Sequence, residues 1–167
     1  FDEYGYAMLI ADGLGETGAG GVASRVALSA LAHLAIHFGR WNLRVDSTVA
    51  SEITERAEWF YRRAAEAAAD RSRKNPALSG MATTMTAAYT AGNDLFVAHV
   101  GHSRAYLYRE GTLSLLTRDH TLAWQVEGIT GVPVGRRTQD LRHILTETIG
   151  GSAESPNLIR AVKAVTQ

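Results

Sequence analysis

No cysteine occurs among the 167 residues. Its absence excludes disulfide bonds, zinc sites built on thiolates and every mechanism that needs a cysteine nucleophile, so cysteine-dependent phosphatases and proteases are ruled out. A chain without cysteine also suits a reducing compartment, and we expect a cytoplasmic location.

Charge of one sign is also lacking, because lysine plus arginine and aspartate plus glutamate both number 17. The chain therefore has no basic surface of the kind that binds nucleic acid or anionic membranes. No apolar run approaches the roughly 20 residues that a membrane span needs. We expect partners that are small molecules or proteins, with no nucleic acid and no membrane. The hydrophobic content of 46% predicts a single domain over residues 1–167.

The spacing of apolar residues predicts the order of the secondary structure. A nearly all-apolar run over roughly 5–11 predicts a strand that is buried on both faces. Three- and four-residue spacing then predicts two helices, one of about 18 residues that ends before Gly39 and one over roughly 47–74. From Thr84 to Leu116 the apolar period is two, which predicts antiparallel strands joined by tight turns.

Two further helices are predicted after this region. Asp119 is predicted to be the N-cap of a short helix that ends at Gly128. The apolar spacing over 158–165 predicts a terminal helix.

The most informative segment is the glycine-rich loop after the first strand, which begins at Asp12. Its pattern Gly13-x-Gly15-x-x-Gly18 matches the phosphate loop of a dinucleotide-binding domain. Against that interpretation, Asp12 would place a carboxylate beside a doubly charged pyrophosphate, and the strands that follow are antiparallel. A second hypothesis is that Asp12 merely caps a helix. A third is that Asp12 and a neighbouring carbonyl hold a hard divalent cation.

Five segments in order favour the third hypothesis. They are Ala11-Asp12-Gly13-Leu14-Gly15, Ser79-Gly80-Met81-Ala82-Thr83-Thr84, Val100-Gly101-His102-Ser103-Arg104-Ala105-Tyr106-Leu107, Leu116-Thr117-Arg118-Asp119-His120 and Ile144-Leu145-Thr146-Glu147-Thr148-Ile149-Gly150. This succession closely resembles the metal-dependent serine/threonine protein phosphatases of the 2C class, bacterial type, and it covers nearly the whole chain.

The resemblance implies an α+β fold, a four-layer αββα sandwich of two antiparallel sheets flanked by helix pairs. It implies two Mn²⁺ or Mg²⁺ ions, with Asp12 as the catalytic, metal-bridging residue and the carbonyl of Gly13 as a further ligand. It also implies that a metal-activated water hydrolyses phosphoserine and phosphothreonine in a phosphorylated protein substrate. Arg136 and Arg137 correspond to the flap of the family, where they would contact this substrate.

The sequence also departs from the family. In the family, a phosphate-binding arginine and an acidic residue lie on a strand upstream of the position of residue 1. Two further metal-binding aspartates lie beyond the segment that corresponds to Gly150. This chain contains none of these four residues, so it resembles a part of the family's domain. His102 stands where the family usually has an aspartate of a third, weaker metal site, and imidazole is a poor ligand for Mg²⁺. The alternative function is a catalytically inactive or regulatory phosphatase-like binding module.

Overall fold

The computed structural model describes residues 6–14, 18–38, 47–91, 93–135, 140–151 and 162–165. In these segments the helices are α1 (Ala19–Phe38), α2 (Ser47–Lys74) and α3 (Leu122–Thr130), with a short 3-10 helix at Pro76–Leu78. The strands are β1 (Ala7–Ile10), β2 (Gly13–Leu14), β3 (Ala82–Thr83), β4 (Met85–Ala91), β5 (Asp94–Val100), β6 (Tyr106–Arg109), β7 (Thr112–Leu115), β8 (Ile149–Gly150) and β9 (Val162–Val165).

The strands form one larger sheet with the order β1-β4-β5-β9, a short sheet with the order β2-β3-β8, and the hairpin β6-β7. Each pairing of these strands is antiparallel. The central hairpin pairs Met85 with Val100 and Ala91 with Asp94, as the two-residue period of the sequence predicts. The expected α+β class with antiparallel sheets is confirmed.

Small side chains bring α1 and α2 close to the larger sheet. Ala23 and Ala27 of α1 and Ala64 and Ala68 of α2 are completely buried in one core cluster, and the lack of bulk at these positions lets the two helices approach each other closely. Tyr61 of α2 reaches beneath them and donates a hydrogen bond to the carbonyl oxygen of Ala98 at 2.7 Å. Burial raises the pKa of Tyr61, so this hydroxyl stays protonated and keeps its donor role.

One expectation about apolar runs is wrong. By length and composition alone, α1 contains a stretch, Ala19–His37, that is apolar enough to cross a membrane. The core helix of a globular domain passes the same test. In this structure Ala23, Ala27 and Leu31 of the helix pack into the core cluster, and 33% of the stretch is buried.

The prediction that the first strand is buried on both faces is also wrong. Among the described strands β1 has one neighbour, β4, and the side chains of Met8 and Ile10 are 59% and 58% exposed. Leu9 pairs with Ala87, which packs against the core cluster, so Met8 and Ile10 belong to the opposite face of the sheet. An all-apolar run shows that both faces of a strand are hydrophobic, but it does not show whether another element covers each face.

Two predicted helix features are corrected as well. In place of a terminal helix over 158–165, residues Val162–Val165 form β9, which pairs with β5; pairing of β-branched valines with a neighbouring strand overrides the helical spacing. The N-cap of α3 is Thr121, whose side chain accepts from the N–H of Trp124, while Asp119 forms an ion pair with Arg104. The helix ends before Gly131, in the left-handed conformation, rather than at Gly128.

The start of α1 lies directly against β2, because two glycines meet there. A Cβ atom on Gly13 would overlap the carbonyl of Gly20, and one on Gly20 would lie 2.6 Å from the carbonyl carbon of Gly13 and the nitrogen of Leu14. Real Cβ atoms do not approach backbone so closely, so only glycine is compatible with this contact. It sets the position of the segment that follows Asp12.

The contact between Gly13 and Gly20 predicts opposite effects for two neighbouring substitutions in α1. Gly20→Ala should lower the free energy of unfolding by about 1–3 kcal/mol, because backbone must move to admit the methyl group. Gly21→Ala is the matched control, since its Cβ would meet only the guanidinium of Arg25 at 3.7 Å, and it should raise stability by up to about 1 kcal/mol through helix propensity. Chemical denaturation of both variants measures this. Equal effects of the two substitutions would contradict the close contact.

Candidate functional site

Asp12 is held through its main chain by two threonines of the next sheet segment. Its carbonyl accepts from the N–H of Thr84 at 2.9 Å. The hydroxyl of Thr83 lies 2.9 Å from the same carbonyl and 2.9 Å from the carbonyl of Thr84, so its one hydrogen is shared between them. Its N–H donates to the hydroxyl oxygen of Thr84 at 3.2 Å. Thr83 and Thr84 are both fully buried. Among the residues described, the carboxylate of Asp12 accepts no hydrogen bond, so the backbone is fixed and the charged group is left available for a ligand.

Two of the hypotheses for the glycine loop do not survive this geometry. Helix α1 begins at Ala19, several residues after Asp12, and Gly13 and Leu14 form strand β2 between them, so Asp12 does not cap the helix. A dinucleotide fold needs parallel strands joined by helices, whereas β1 pairs with β4 and β2 pairs with β3 in antiparallel fashion. The cation hypothesis is the one that the backbone arrangement permits.

The turn that carries His102 lies next to the same threonine. Gly101 has a φ of +99°, and a Cβ atom on it would lie 2.7 Å from the Cβ of Thr84. Beyond His102, the hydroxyl of Ser103 lies 2.6 Å from the hydroxyl of Thr84. The structure therefore brings the Asp12 segment and the His102 turn together, with Thr84 as the shared contact.

His102 has one feature of a side chain that is available to bind a metal ion. Its Nδ1 atom is buried and has no hydrogen-bond partner within the described segments. An unpartnered imidazole nitrogen suits Mn²⁺ or zinc better than Mg²⁺. Among the residues that the structure describes, however, no group of three or more acidic, histidine or cysteine side chains could hold a metal ion. Asp12, Gly13 and His102 thus offer atom types that bind divalent cations. They are too few for a complete site, since a hard cation takes about six oxygen ligands.

A buried histidine, His99, supports the turn of His102 through Thr86. The sequence patterns did not identify it. His99 is 3% exposed, and its Nδ1 atom lies 2.8 Å from the hydroxyl of Thr86. That hydroxyl donates its one hydrogen to the carbonyl of Ser103 at 2.9 Å, so His99 Nδ1 must be the donor to Thr86. The signal in the sequence is weak: two polar residues, Thr86 and His99, stand opposite each other in strands that are mostly apolar.

Burial is the main cause that lowers the pKa of His99. The nearby charge of His102 lowers the pKa further, whereas Asp119 raises it. The ring also lies 4.9 Å from that of His120. Because the site disfavours the charged ring, His99 is neutral at neutral pH.

His120 fixes the other side of the turn. Its N–H donates to the carbonyl of Gly101 at 2.8 Å, and its Nδ1 lies 3.3 Å from the nitrogen of Gly101 and 3.0 Å from Oε2 of Glu147. One nitrogen cannot accept from Gly101 and donate to Glu147 at the same time, so these two contacts are alternatives set by whether Nδ1 carries a hydrogen. In either state His120 ties the turn to the rest of the chain.

Arg104 and Asp119 close the turn at the surface. The guanidinium of Arg104 contacts both carboxylate oxygens of Asp119, with Nε at 2.8 Å from Oδ1. The hydrogen bond from Arg104 holds the pKa of Asp119 below its usual value. This fork geometry fixes direction as well as distance, so the chain leaves the turn at a defined angle.

Arg136 and Arg137, the predicted substrate-binding residues, lie outside the described residues. Their contact with substrate stays a prediction.

Burial of His99 predicts a specific dependence of stability on pH. The folded pKa lies below the unfolded value of 6.5, so the unfolded chain binds more protons, and stability is lost as the pH falls below about 6.5. His99→Asn keeps an N–H donor for Thr86 and removes the titration, so its unfolding free energy should fall less steeply between pH 7 and pH 5. Denaturation across this range measures the slopes. His143→Asn, at an exposed histidine, is the control. Equal slopes for wild type and His99→Asn would contradict the assignment.

The chain is similar to named serine/threonine protein phosphatases. The chain is 35% identical over 136 residues to the serine/threonine protein phosphatase PstP of Mycobacterium tuberculosis, covering 81% of this chain and 24% of that protein. The chain therefore spans about a quarter of the length of this relative.

Solved structures show the same fold. The catalytic domain of serine threonine protein phosphatase PstP, in complex with 2 manganese ions, superposes with a TM-score of 0.72 at 28% identity, over 96% of this chain and 62% of that one. The serine/threonine phosphatase of S. agalactiae superposes with a TM-score of 0.80 at 22% identity, over 99% of this chain and 65% of that one. The expected fold is thereby confirmed.

The match extends to the family as a whole. The family model described as Protein phosphatase 2C matches residues 9–128, which is more than half of the chain. That range contains Asp12, the two threonines that hold it, and the turn of His102. The chain belongs to the protein phosphatase 2C family.

Proposed function

We propose that the full-length protein hydrolyses phosphoserine and phosphothreonine in protein substrates, with Mn²⁺ or Mg²⁺ as the required cofactor. The observation that carries the proposal is Asp12, whose main chain is clamped by Thr83 and Thr84 while its carboxylate accepts no hydrogen bond from any described residue. Membership of the 2C family supports it. So do relatives named as serine/threonine phosphatases and a relative's structure with 2 manganese ions.

The residues have defined parts in this proposal. The carboxylate of Asp12 and the carbonyl of Gly13 would hold divalent cations, and such cations supply a water of lowered pKa and neutralise charge on a phosphoryl group. Thr83 and Thr84 keep the Asp12 backbone in place. Arg136 and Arg137 are proposed to contact the phosphorylated substrate. Because no protein nucleophile takes part, the lack of cysteine is no obstacle.

A second candidate function is a phosphatase-like module that binds a partner without turnover. Two observations favour it: histidine stands at position 102, and the described residues contain no group of three metal-binding side chains. An activity assay distinguishes the two candidate functions. An enzyme turns over an aryl phosphate with added Mn²⁺, and a binding module does not.

Removing the charge of Asp12 tests the proposal directly. Asp12→Asn keeps the side-chain shape and removes the anionic ligand, so hydrolysis of an aryl phosphate by the full-length protein should fall by at least about 100-fold, the order expected for loss of a main electrostatic contributor. Melting temperature should be nearly unchanged. Asp94→Asn, at the far end of the β4-β5 hairpin, is the matched control and should retain wild-type rates. A chelator should abolish wild-type activity, and added Mn²⁺ should restore it.

Three results would contradict the proposal. Activity that survives the chelator would exclude the metal-dependent reaction. Wild-type rates in folded Asp12→Asn would remove this carboxylate from the reaction. Inactivity of the wild-type protein with Mn²⁺ and Mg²⁺ would favour the binding module.

Replacing His102 tests the difference from the family. His102→Asp exchanges a nitrogen ligand for a hard anionic oxygen, so it should lower the Mn²⁺ concentration needed for half-maximal rate and add a weak site. Calorimetric titration with Mn²⁺ measures the stoichiometry. His143→Asp, at an exposed position, is the control for added charge. If His102→Asp leaves stoichiometry, affinity and rate unchanged, His102 has no part in metal binding.

A further inference from the structure

The contact between Ser103 and Thr84 has a definite direction. The two hydroxyl oxygens lie 2.6 Å apart, and only one hydrogen can lie between them. Thr84 is fully buried, and no further acceptor for its hydroxyl occurs in the described parts of the chain. If Ser103 were the donor, the hydrogen of Thr84 would be buried without a partner, which is costly. Thr84 is therefore the donor, and Ser103 keeps its own hydrogen at a partly exposed position.

This direction orients the hydroxyl of Thr84. With its hydrogen committed to Ser103, the oxygen turns a lone pair toward the N–H of Asp12, which donates to it at 3.2 Å. Without the acceptor on Ser103, the Thr84 hydroxyl would seek another partner by rotating about its C–O bond, and the bond from Asp12 would weaken. Ser103 thus acts on Asp12 without touching it.

Ser103 is itself firmly placed. Its carbonyl accepts from the hydroxyl of Thr86 at 2.9 Å, and Thr86 accepts from buried His99. On the preceding side of the turn, Gly101 packs against Thr84 so closely that no Cβ would fit. Because the Ser103 hydroxyl is fixed in this way, the hydroxyl of Thr84 that donates to it has one orientation rather than several.

We propose that Ser103 is a positioning residue which, through the hydroxyl of Thr84, holds the Asp12 backbone in the conformation that binds divalent cations. The cation-binding part rests on the proposed function. The link from Ser103 to Asp12 rests on the hydrogen bonds alone. It predicts that loss of the Ser103 hydroxyl weakens metal affinity and the protection of the Asp12 amide by more than any change in overall stability explains.

The test compares Ser103→Ala with Ser114→Ala in the full-length protein. Ser114 lies on β7 and is exposed, so it controls for the loss of a serine hydroxyl. We expect Ser103→Ala to raise the half-saturating Mn²⁺ concentration about three- to tenfold, the range that the loss of one buried hydrogen bond produces. The exchange rate of the Asp12 amide hydrogen should rise by a similar factor. The KM for the aryl phosphate should change little, and Ser103→Thr should restore both quantities.

A double-mutant cycle with Thr84→Val identifies the route. In the Thr84→Val background, Ser103→Ala should have no further effect on Mn²⁺ affinity or on exchange of the Asp12 amide. Equal additional effects in both backgrounds would overturn the proposal, and so would a Ser103→Ala protein with wild-type exchange at Asp12. A rise in exchange at every core amide as large as the rise at Asp12 would also overturn it, because that outcome marks a general loss of stability with no specific link to Asp12.

Amide exchange needs no metal and no turnover, so it separates two failures. If the wild-type protein neither binds Mn²⁺ nor hydrolyses phosphate, the proposed function fails, while exchange at Asp12 still decides the link to Ser103. If Mn²⁺ activates wild type and Ser103→Ala equally, with equal Asp12 exchange, the positioning role fails and the proposed function stands.

Discussion

The structure of the site depends on how Thr84 satisfies the backbone of Asp12. Thr84 uses both its N–H and its hydroxyl on Asp12, and the same hydroxyl contacts Ser103. A buried main-chain group without a partner costs more than a hydrogen bond contributes, so this fully buried residue is the least replaceable link between the two segments. The carboxylate of Asp12 can be left for a ligand because the main chain needs nothing further.

Close approach of backbones is the second constraint on the site. Gly13 meets Gly20 where β2 passes the start of α1, and Gly101 meets Thr84 where the His102 turn passes β4. At both places the absence of a side chain lets one segment lie directly on another. Glycine at these positions therefore serves packing, and the resemblance of the first loop to a phosphate-binding motif is a consequence of the same small residue in a different fold.

Two histidines, His99 and His120, hold the turn of His102 in place. His99 is buried and neutral, and it supports the turn through Thr86. His120 contacts both Gly101 and Glu147. The 2C family model covers this turn, while the described residues contain no group of three or more side chains that could hold a metal ion. The described residues show that the main chain of Asp12 is held in place by hydrogen bonds from buried neighbours.

The class of the fold and much of the order of its elements follow from the sequence alone. Helix α2 begins and ends where the apolar period predicts, and β4 and β5 pair as an antiparallel hairpin, because contacts within one helix or hairpin leave a local period in the chain. Three features became visible only in the folded chain: Val162–Val165 pairs with β5, Asp119 binds Arg104 rather than a helix end, and Thr84 joins Asp12 to Ser103. In the sequence, Thr84 is 72 residues from Asp12 and 19 residues from Ser103. No local period records such contacts, since they exist only after the chain has closed around its core.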